Sequence, residues 1–256
     1  MGEFNEKVVL LTGASSGIGE VIAYTFAKNG ASLSLCGRNP DNLNRVADKC
    51  KVEGASKVIT ICADLVKLEN MNRMVEETVT KLGQIDVLVN NAGFGILGTI
   101  ETANIEDFDK IFAVNAKAPL YLTQLCIPHL KKTKGCIVNV SSLVTTVCLT
   151  YFLQYAMAKC ATDHLTKSSA LELAKYGIRV NAVNPAVTKT DFFERMAGED
   201  MAKQIFKDHN LLHPLGGSCL ESSEIADIVL FLASSGARSI TGTCLPGDRG
   251  RNVLGH

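Results

Sequence analysis

The sequence predicts an α/β fold, a single doubly wound parallel β-sheet of about seven strands with helices on both faces, read as one domain over residues 1–256. Two observations predict it. Short, continuously apolar β-branched runs alternate with longer segments of helical periodicity from one end to the other. Continuous apolar runs are what strands covered on both faces require, and the alternation closes through right-handed crossovers. In addition, no linker-like stretch divides the chain and no repeat of solenoid period runs through it.

Taken in order, buried strands are expected at Val8–Thr12, Ser32–Leu35, Val58–Cys62, Val87–Asn90, Cys136–Val140 and Ile178–Val183, with a short last one around Ile240–Leu245. Helices are expected at about Gly17–Lys28, Pro40–Cys50, Leu68–Lys81, Asp107–His129, Phe152–Lys175 and Ser222–Ala233. Thr188–Gly217 breaks the rhythm, carrying Phe192, Phe193, Met196, Leu211 and Leu212 without the regularity of the earlier units. It follows the carboxyl end of a strand, where open α/β sheets bind ligands. It reads as a flap over a substrate, with an ordinary surface excursion as the alternative.

Composition narrows the function classes. A chain of 256 residues with 46% apolar and 20% charged residues is of ordinary globular type. Lysine plus arginine (26) balances aspartate plus glutamate (26) without a long charge run, so neither a nucleic-acid surface nor a membrane-binding patch is expected. No apolar run is long enough to span a bilayer. The residues before Val8 do not read as a charged-then-apolar leader, so a secretory route is not expected, and Glu6 stands where a myristoylation signal needs Ser or Thr. The nine cysteines are scattered without a C-x-x-C pair and read as small core residues in a reducing, cytoplasmic setting. Asn139-Val140-Ser141 matches a glycosylation acceptor but lies inside a predicted strand.

Thr12-Gly13-Ala14-Ser15-Ser16-Gly17-Ile18-Gly19 follows the first strand and opens the first helix. Gly13 permits the tight turn, Gly17 lets a pyrophosphate approach the backbone, and Gly19 allows close helix–strand packing. The free N–H groups of the helix start then face phosphates. In a βαβ setting the loop makes the sheet Rossmann-like and indicates a dinucleotide. An NAD site usually places an acid at the end of the second strand. Here Leu35-Cys36-Gly37-Arg38 offers a guanidinium instead, which suits a 2′-phosphate and points to NADP(H). An exposed arginine in a turn is the alternative.

Tyr155-Ala156-Met157-Ala158-Lys159 sets a phenol and an ammonium at i, i+4 on one helix face. The ammonium and an oxidised nicotinamide ring are both expected to favour phenolate, lowering the tyrosine from its reference pKa near ~10 so that it can exchange a proton with a substrate oxygen. Tyr24 and Lys28 have the same spacing but no polar partner upstream, and read as helix surface. Tyr155 follows Val138-Asn139-Val140-Ser141-Ser142, a strand ending in two hydroxyls.

In these motifs the chain resembles the short-chain dehydrogenase/reductase family from about Lys7 to Val253. The family's T-G-x-x-x-G-x-G is Thr12–Gly19, its N-N-A-G is Asn90-Asn91-Ala92-Gly93, and its active-site asparagine is Asn115. Its serine, thirteen residues before the tyrosine, is Ser142, and its Y-x-x-x-K is Tyr155 to Lys159. The resemblance implies that Ser142 positions the substrate oxygen and that Tyr155 is the general acid in reduction and base in oxidation. It implies that Lys159 holds the nicotinamide ribose, and that Asn115, by loosening its helix, holds a water that relays protons. Gly13, Ser15, Ser16, Gly17, Ile18 and Gly19 would cradle the phosphates. Asp64 and Leu65 would meet the adenine, and Asn91, Ala92 and Gly93 would border its ribose. Pro185, Ala186, Thr188 and Thr190 fall in the segment that meets the nicotinamide carboxamide. Assembly as a homodimer or homotetramer through the two long helices is implied in the same way.

Three positions depart from the family pattern: Ala186 after the proline, Thr145 after the serine, and Arg249 in place of glycine in Asp248-Arg249-Gly250. Ala186 and Thr145 are expected to narrow the pocket. Phe94, Leu143, Val144, Phe152, Phe192, Phe193 and Met196 are candidate apolar walls, with core packing an equal reading for Val144 and Met196. Tyr151 borders the pocket or the surface. His209 and His213, spaced i, i+4, lack a third ligand, so no metal is expected. The expected reaction is hydride transfer between NADP(H) and the carbonyl or secondary alcohol of a small molecule, apolar and of medium size (a ketone, 3-oxoacyl or sterol-like compound). A non-catalytic NADP(H)-binding redox sensor is the alternative, and a nucleotide-dependent methyltransferase a remote third.

Overall fold

The computed structural model describes residues 2–254. Seven strands form one parallel sheet in the order β3-β2-β1-β4-β5-β6-β7. They are β1 (Val8–Thr12), β2 (Ser32–Gly37), β3 (Lys57–Cys62), β4 (Val87–Asn90), β5 (Cys136–Val140), β6 (Arg179–Pro185) and β7 (Cys244–Gly247). Helices α1 (Gly17–Lys28), α2 (Pro40–Glu53) and α9 (Ser222–Ala233) cover one face with the strand residues Val9, Leu11, Leu33, Leu35, Val89 and Val138. Helices α3 (Leu68–Leu82), α5 (Ala118–Thr133) and α6 (Leu153–Leu173) cover the other with Leu10, Ile61, Leu88 and Ile137. Successive strand residues enter opposite cores, which is why VVLLT is apolar throughout rather than alternating.

The strand order reverses at β1, which pairs with β2 on one side and β4 on the other. The chain therefore leaves β1 and β4 toward opposite faces, opening a crevice above their carboxyl ends.

Helix α4 (Ile105–Phe112), capped by the Asn104 side chain, runs through a π-helical turn at Ala113–Lys117 into α5. The expected helix at Asp107–His129 is thus continuous but loosened at its middle. The flap contains two short helices, α7 (Phe192–Ala197) and α8 (Glu199–Asn210). Phe193, Ala202 and Ile205 bury one side of this pair against Phe152, and their irregular spacing reflects the break between the helices at Gly198 (φ 83°).

The last strand begins later than Ile240. Gly242 adopts φ 80°, and the segment before β7 reaches β6 through a mixture of two backbone bonds (Gly242 N–H to the Val180 carbonyl and Ala182 N–H to the Thr243 carbonyl, both 2.8 Å) and the side chains of Thr241 and Asn181. As an edge strand, β7 tolerates Pro246 opposite Asn184. Beyond it Arg249 takes φ 49°, a left-handed backbone that costs a non-glycine residue about 1 kcal/mol or more. Its guanidinium offsets this by gripping both carboxylate oxygens of Glu224 on α9 (2.8 and 2.7 Å) and both oxygens of Ser218 (3.1 and 2.6 Å). Arg249→Ala is expected to lower unfolding free energy by about 1–3 kcal/mol, measured by urea denaturation, through loss of these charged hydrogen bonds. Arg249→Gly, which relieves the backbone, should lose less.

Candidate active site

The crevice above β1 and β4 holds the glycine loop. Gly13 and Gly17 sit at φ 67° and 56°, where a side chain is strained. The Thr12 hydroxyl accepts the N–H groups of Asn91 and Ala92, both at 3.0 Å. Asn91 Nδ2 in turn donates to the carbonyls of Thr12 (3.0 Å) and Gly13 (3.1 Å). The N-N-A-G segment therefore also braces the loop, beyond the ribose-bordering place expected for it. Ser16 precedes α1 without capping it, leaving the first-turn amides open toward the cavity.

At the end of β2, a Cβ on Gly37 would lie 3.1 Å from Ser15 Oγ, so glycine lets the serine hydroxyl close over this corner. Arg38 is exposed on the cavity rim, with no ion-pair partner among the described residues. Asp64 turns one carboxylate oxygen onto the Val66 N–H (3.1 Å). Backbone turned toward the cavity, a free guanidinium and no acid at the strand end fit a phosphorylated dinucleotide.

Above β5 the four expected active-site residues converge. Ser142 follows β5, and Tyr155 and Lys159 lie on α6 with the lysine ammonium 5.6 Å from the centre of the tyrosine ring. Lys159 is buried and donates to the Val140 carbonyl at 2.7 Å. Burial lowers its pKa to about 8, opposed in part by Asp163. Burial likewise pushes Tyr155 up to about 12, with the Ser142 hydroxyl beside it acting in the other direction. The protein alone therefore holds the phenol protonated, so the lysine by itself does not produce the lowering expected from lysine and oxidised nicotinamide together. Desolvation of a half-buried ring outweighs an ammonium that is turned onto a carbonyl.

Asn115 lies at the π-helical turn, behind the cavity wall. Its Nδ2 donates to the carbonyls of Phe94 (2.9 Å) and Ile111 (3.0 Å), and its carbonyl accepts the Thr162 hydroxyl at 2.7 Å. Its Oδ1 is buried and unpartnered. A Cβ on Gly93 would lie 2.6 Å from that oxygen and 3.5 Å from Lys159 Nζ, so the glycine keeps this polar corner open.

One cavity of about 680 Å³ joins the two halves. All the residues expected at the cofactor and at the reacting centre line it except Asn115. The apolar candidates Phe94, Leu143, Val144, Phe152, Phe192, Phe193 and Met196 line it too, which places Val144 and Met196 on the wall. Thr145 does not narrow the pocket: it lies outside the lining, donating to the Ser142 carbonyl (3.1 Å) and accepting from Asn184 (2.9 Å). Tyr151 packs in the aromatic cluster behind Phe152. Tyr24 is not surface; it is buried, donating to Glu20 at 2.7 Å, while Lys28 pairs separately with Glu53. Of the cysteines expected in the core, Cys62, Cys148 and Cys160 are exposed.

Sequence reasoning did not single out Val147, Leu149 or Val187 on the wall, nor Arg195. The Arg195 guanidinium pairs with Asp191 (2.9 Å) and reaches across to Ser16 Oγ (3.0 Å), so the flap closes onto the phosphate loop. The only sequence signal was its i, i+4 spacing from Asp191.

The sheet order, the glycine loop and the Ser–Tyr–Lys set define a dinucleotide-dependent oxidoreductase. A family model of short chain dehydrogenases matches residues 7–200. The meso-2,3-butanediol dehydrogenase of Serratia marcescens is 34% identical over 247 residues, covering 96% of this chain and 95% of that protein. A short-chain dehydrogenase/reductase of unknown function from Caenorhabditis elegans, solved with cofactor, superposes with a TM-score of 0.91 at 34% identity, covering 99% and 97% of the two chains. The 3-ketoacyl-(acyl-carrier-protein) reductase of Brucella melitensis, complexed with NADH, superposes with a TM-score of 0.89 at 32% identity, covering 97% and 99%. The chain belongs to the short-chain dehydrogenase/reductase family.

Because the folded chain holds Lys159 near 8 against an ordinary 10.5, its charge opposes folding below about pH 8, and this penalty is relieved as pH rises toward 10.5. Lys159→Met is therefore expected to raise Tm at pH 7, with the gain shrinking by pH 10, as measured by thermal denaturation across that range.

Proposed function

We propose that this protein is an NADP(H)-dependent oxidoreductase that interconverts a carbonyl and a secondary alcohol on a medium-sized apolar molecule, with residues 1–256 as one catalytic domain under a flap at 188–217. The observation that carries it is that Ser142, Tyr155 and Lys159 open into the same cavity as the glycine loop and Arg38. When bound, the nicotinamide supplies or accepts the hydride. The phosphates would be held by the amides of Gly13–Gly19, the 2′-phosphate by Arg38 with Ser15, the adenine side by Asp64 and Leu65, and the ribose by Asn91–Gly93. Pro185, Ala186, Thr188 and Thr190 would flank the carboxamide.

Ser142 donates a hydrogen bond to the substrate oxygen and fixes it beside Tyr155. The phenol, held protonated by burial, gives its proton to the oxygen formed in reduction, and the phenolate takes it back in oxidation. Lys159 presents its ammonium to the ribose and phenol, and Asn115 supplies an acceptor for the water that returns the proton. The apolar wall from Leu143 to Met196 excludes solvent and supports the substrate class. No described helix is long and apolar enough to cross a membrane, and we place the enzyme in the cytoplasm. Exposed Leu120 on α5 and Met157 and Leu171 on α6 support pairing into a dimer or tetramer, for which sedimentation is the measurement.

Tyr155→Phe is expected to lower kcat/KM for ketone reduction by about 10²–10⁴-fold, with the NADPH dissociation constant nearly unchanged; wild-type turnover by this variant refutes the catalytic reading. Arg38→Ala should raise KM for NADPH about tenfold or more, the worth of one charge-assisted contact, and leave NADH unaffected. A wild-type kcat/KM higher with NADH than with NADPH would overturn the cofactor assignment.

A further inference from the structure

Of the further basic side chains that line the cavity, Lys110 and Arg195 pair with Asp107 and Asp191, whereas His209, His213 and Arg251 have no role in the proposed chemistry and no carboxylate partner among the described residues. From Tyr155 the aromatic wall runs through Phe152 (6.0 Å between ring centres) and Phe193 (6.3 Å) to Phe206 (5.7 Å). Phe206 lies three residues before His209 on α8. The basic group is thus separated from the reacting centre by a row of aromatic rings.

Its members are charged or polar without matching partners. His213 is 1% exposed, with Nδ1 at 2.7 Å from the His209 carbonyl. A carbonyl only accepts, so Nδ1 carries the hydrogen, and Nε2 is left buried and unpartnered. His213 lies beyond the end of α8, so the two imidazoles do not share a helix face as a metal pair would. The half-buried Arg251 guanidinium has no hydrogen-bond or ion-pair partner among the described residues, in contrast to Arg249, which grips Glu224 and Ser218. The neighbouring Asp248 carboxylate already takes the N–H groups of Gly250 (3.0 Å) and Asn252 (2.7 Å). Asp208 accepts from Gln204 at 2.5 Å. Burial lowers the pKa of both histidines, and the charge of Arg251 lowers that of His209 further, as expected where cations gather with too few anions.

We infer that His209, His213 and Arg251 form the seat for a substrate carboxylate, and that the substrate is an oxo acid with its carbonyl at Ser142 and Tyr155 and an apolar body along Phe152 and Phe193. The inference rests on the oxidoreductase reading and specifies its substrate. A carboxylate supplies the acceptor oxygens that Arg251 lacks, and its negative charge offsets the burial that keeps His213 neutral, so that binding favours a protonated ring whose Nε2 becomes a second donor. An uncharged ester or ketone leaves the basic end unmatched, at the cost of desolvating it.

The test compares a straight-chain oxo acid, its ketone remote from the carboxylate, with its methyl ester. The substrates are assayed with NADPH on wild type and Arg251→Gln. The acid is expected to be favoured in kcat/KM by about tenfold, equivalent to about 1.4 kcal/mol. Arg251→Gln should erase that preference through KM while changing the ester less than about twofold, since a lost rim contact does not alter the chemical step. A wild type that reduces the ester as well as the acid overturns the inference, as does a variant that slows both alike. Thermal stability of the NADPH-loaded protein with the corresponding saturated fatty acid or its methyl ester separates the two readings. Stabilisation by the acid alone, lost in Arg251→Gln, supports the seat even if neither ketone turns over, in which case the oxidoreductase reading fails instead. Equal stabilisation by acid and ester, or by neither, sinks the seat whatever the turnover.

Discussion

The Thr12 hydroxyl joins the two halves of this molecule. It stands at the end of β1, where the strand order reverses, and accepts two N–H groups from the segment after β4. Two half-buried amides are satisfied by one oxygen, and leaving such a group unpaired once it is buried costs about 1–3 kcal/mol. With Asn91 returning bonds to the Thr12 and Gly13 carbonyls, the glycine loop is fixed before any ligand arrives. The pitch of α1, the opening at its amino end and the position of Gly93 beside Asn115 and Lys159 all depend on this junction.

The reacting centre is built against the preferences of its own side chains. An ammonium and a phenol are both removed from water. Desolvation moves the first toward the neutral amine and the second away from the phenolate. The π-helical turn similarly gives up regular helix hydrogen bonding: Asn115 puts its amide onto Ile111 and its main-chain oxygen onto Thr162, leaving Oδ1 without a partner. Such costs are met by the two apolar cores on either side of the sheet, which reach up to the cavity floor at Val140 on one face and at Cys36 and Ala63 on the other.

Much of this was legible in the sequence because the governing signals are local. Continuous apolar runs mark strands covered on both faces. The glycine spacing belongs to one turn, and Tyr155 and Lys159 share a helix. The features that escaped are set by distant partners. Tyr24 reads as surface because its burial is set by α2, from which Lys49 lies over its ring, although its hydrogen-bond partner Glu20 is one turn earlier on the same helix. Thr145 was expected in the pocket, yet its orientation is decided by Asn184, 39 positions along the chain. The last strand starts later than its apolar pattern suggests because a left-handed Gly242 interrupts it, leaving a mixture of backbone and side-chain bonds to β6 before the regular pairing begins. The reach of Arg195 to Ser16, across 179 positions, has no sequence counterpart at all.

That last contact makes the flap a shared boundary. Its aromatic side rests on the substrate wall, and its arginine rests on the phosphate loop. A ligand that holds the flap down on one side necessarily alters the free energy of binding on the other. Linkage then requires the effect to be reciprocal: whatever factor cofactor contributes to substrate affinity, substrate returns to cofactor affinity. Any coupling of this kind between the two halves of the cavity would reside in a segment that carries none of the catalytic side chains proposed above.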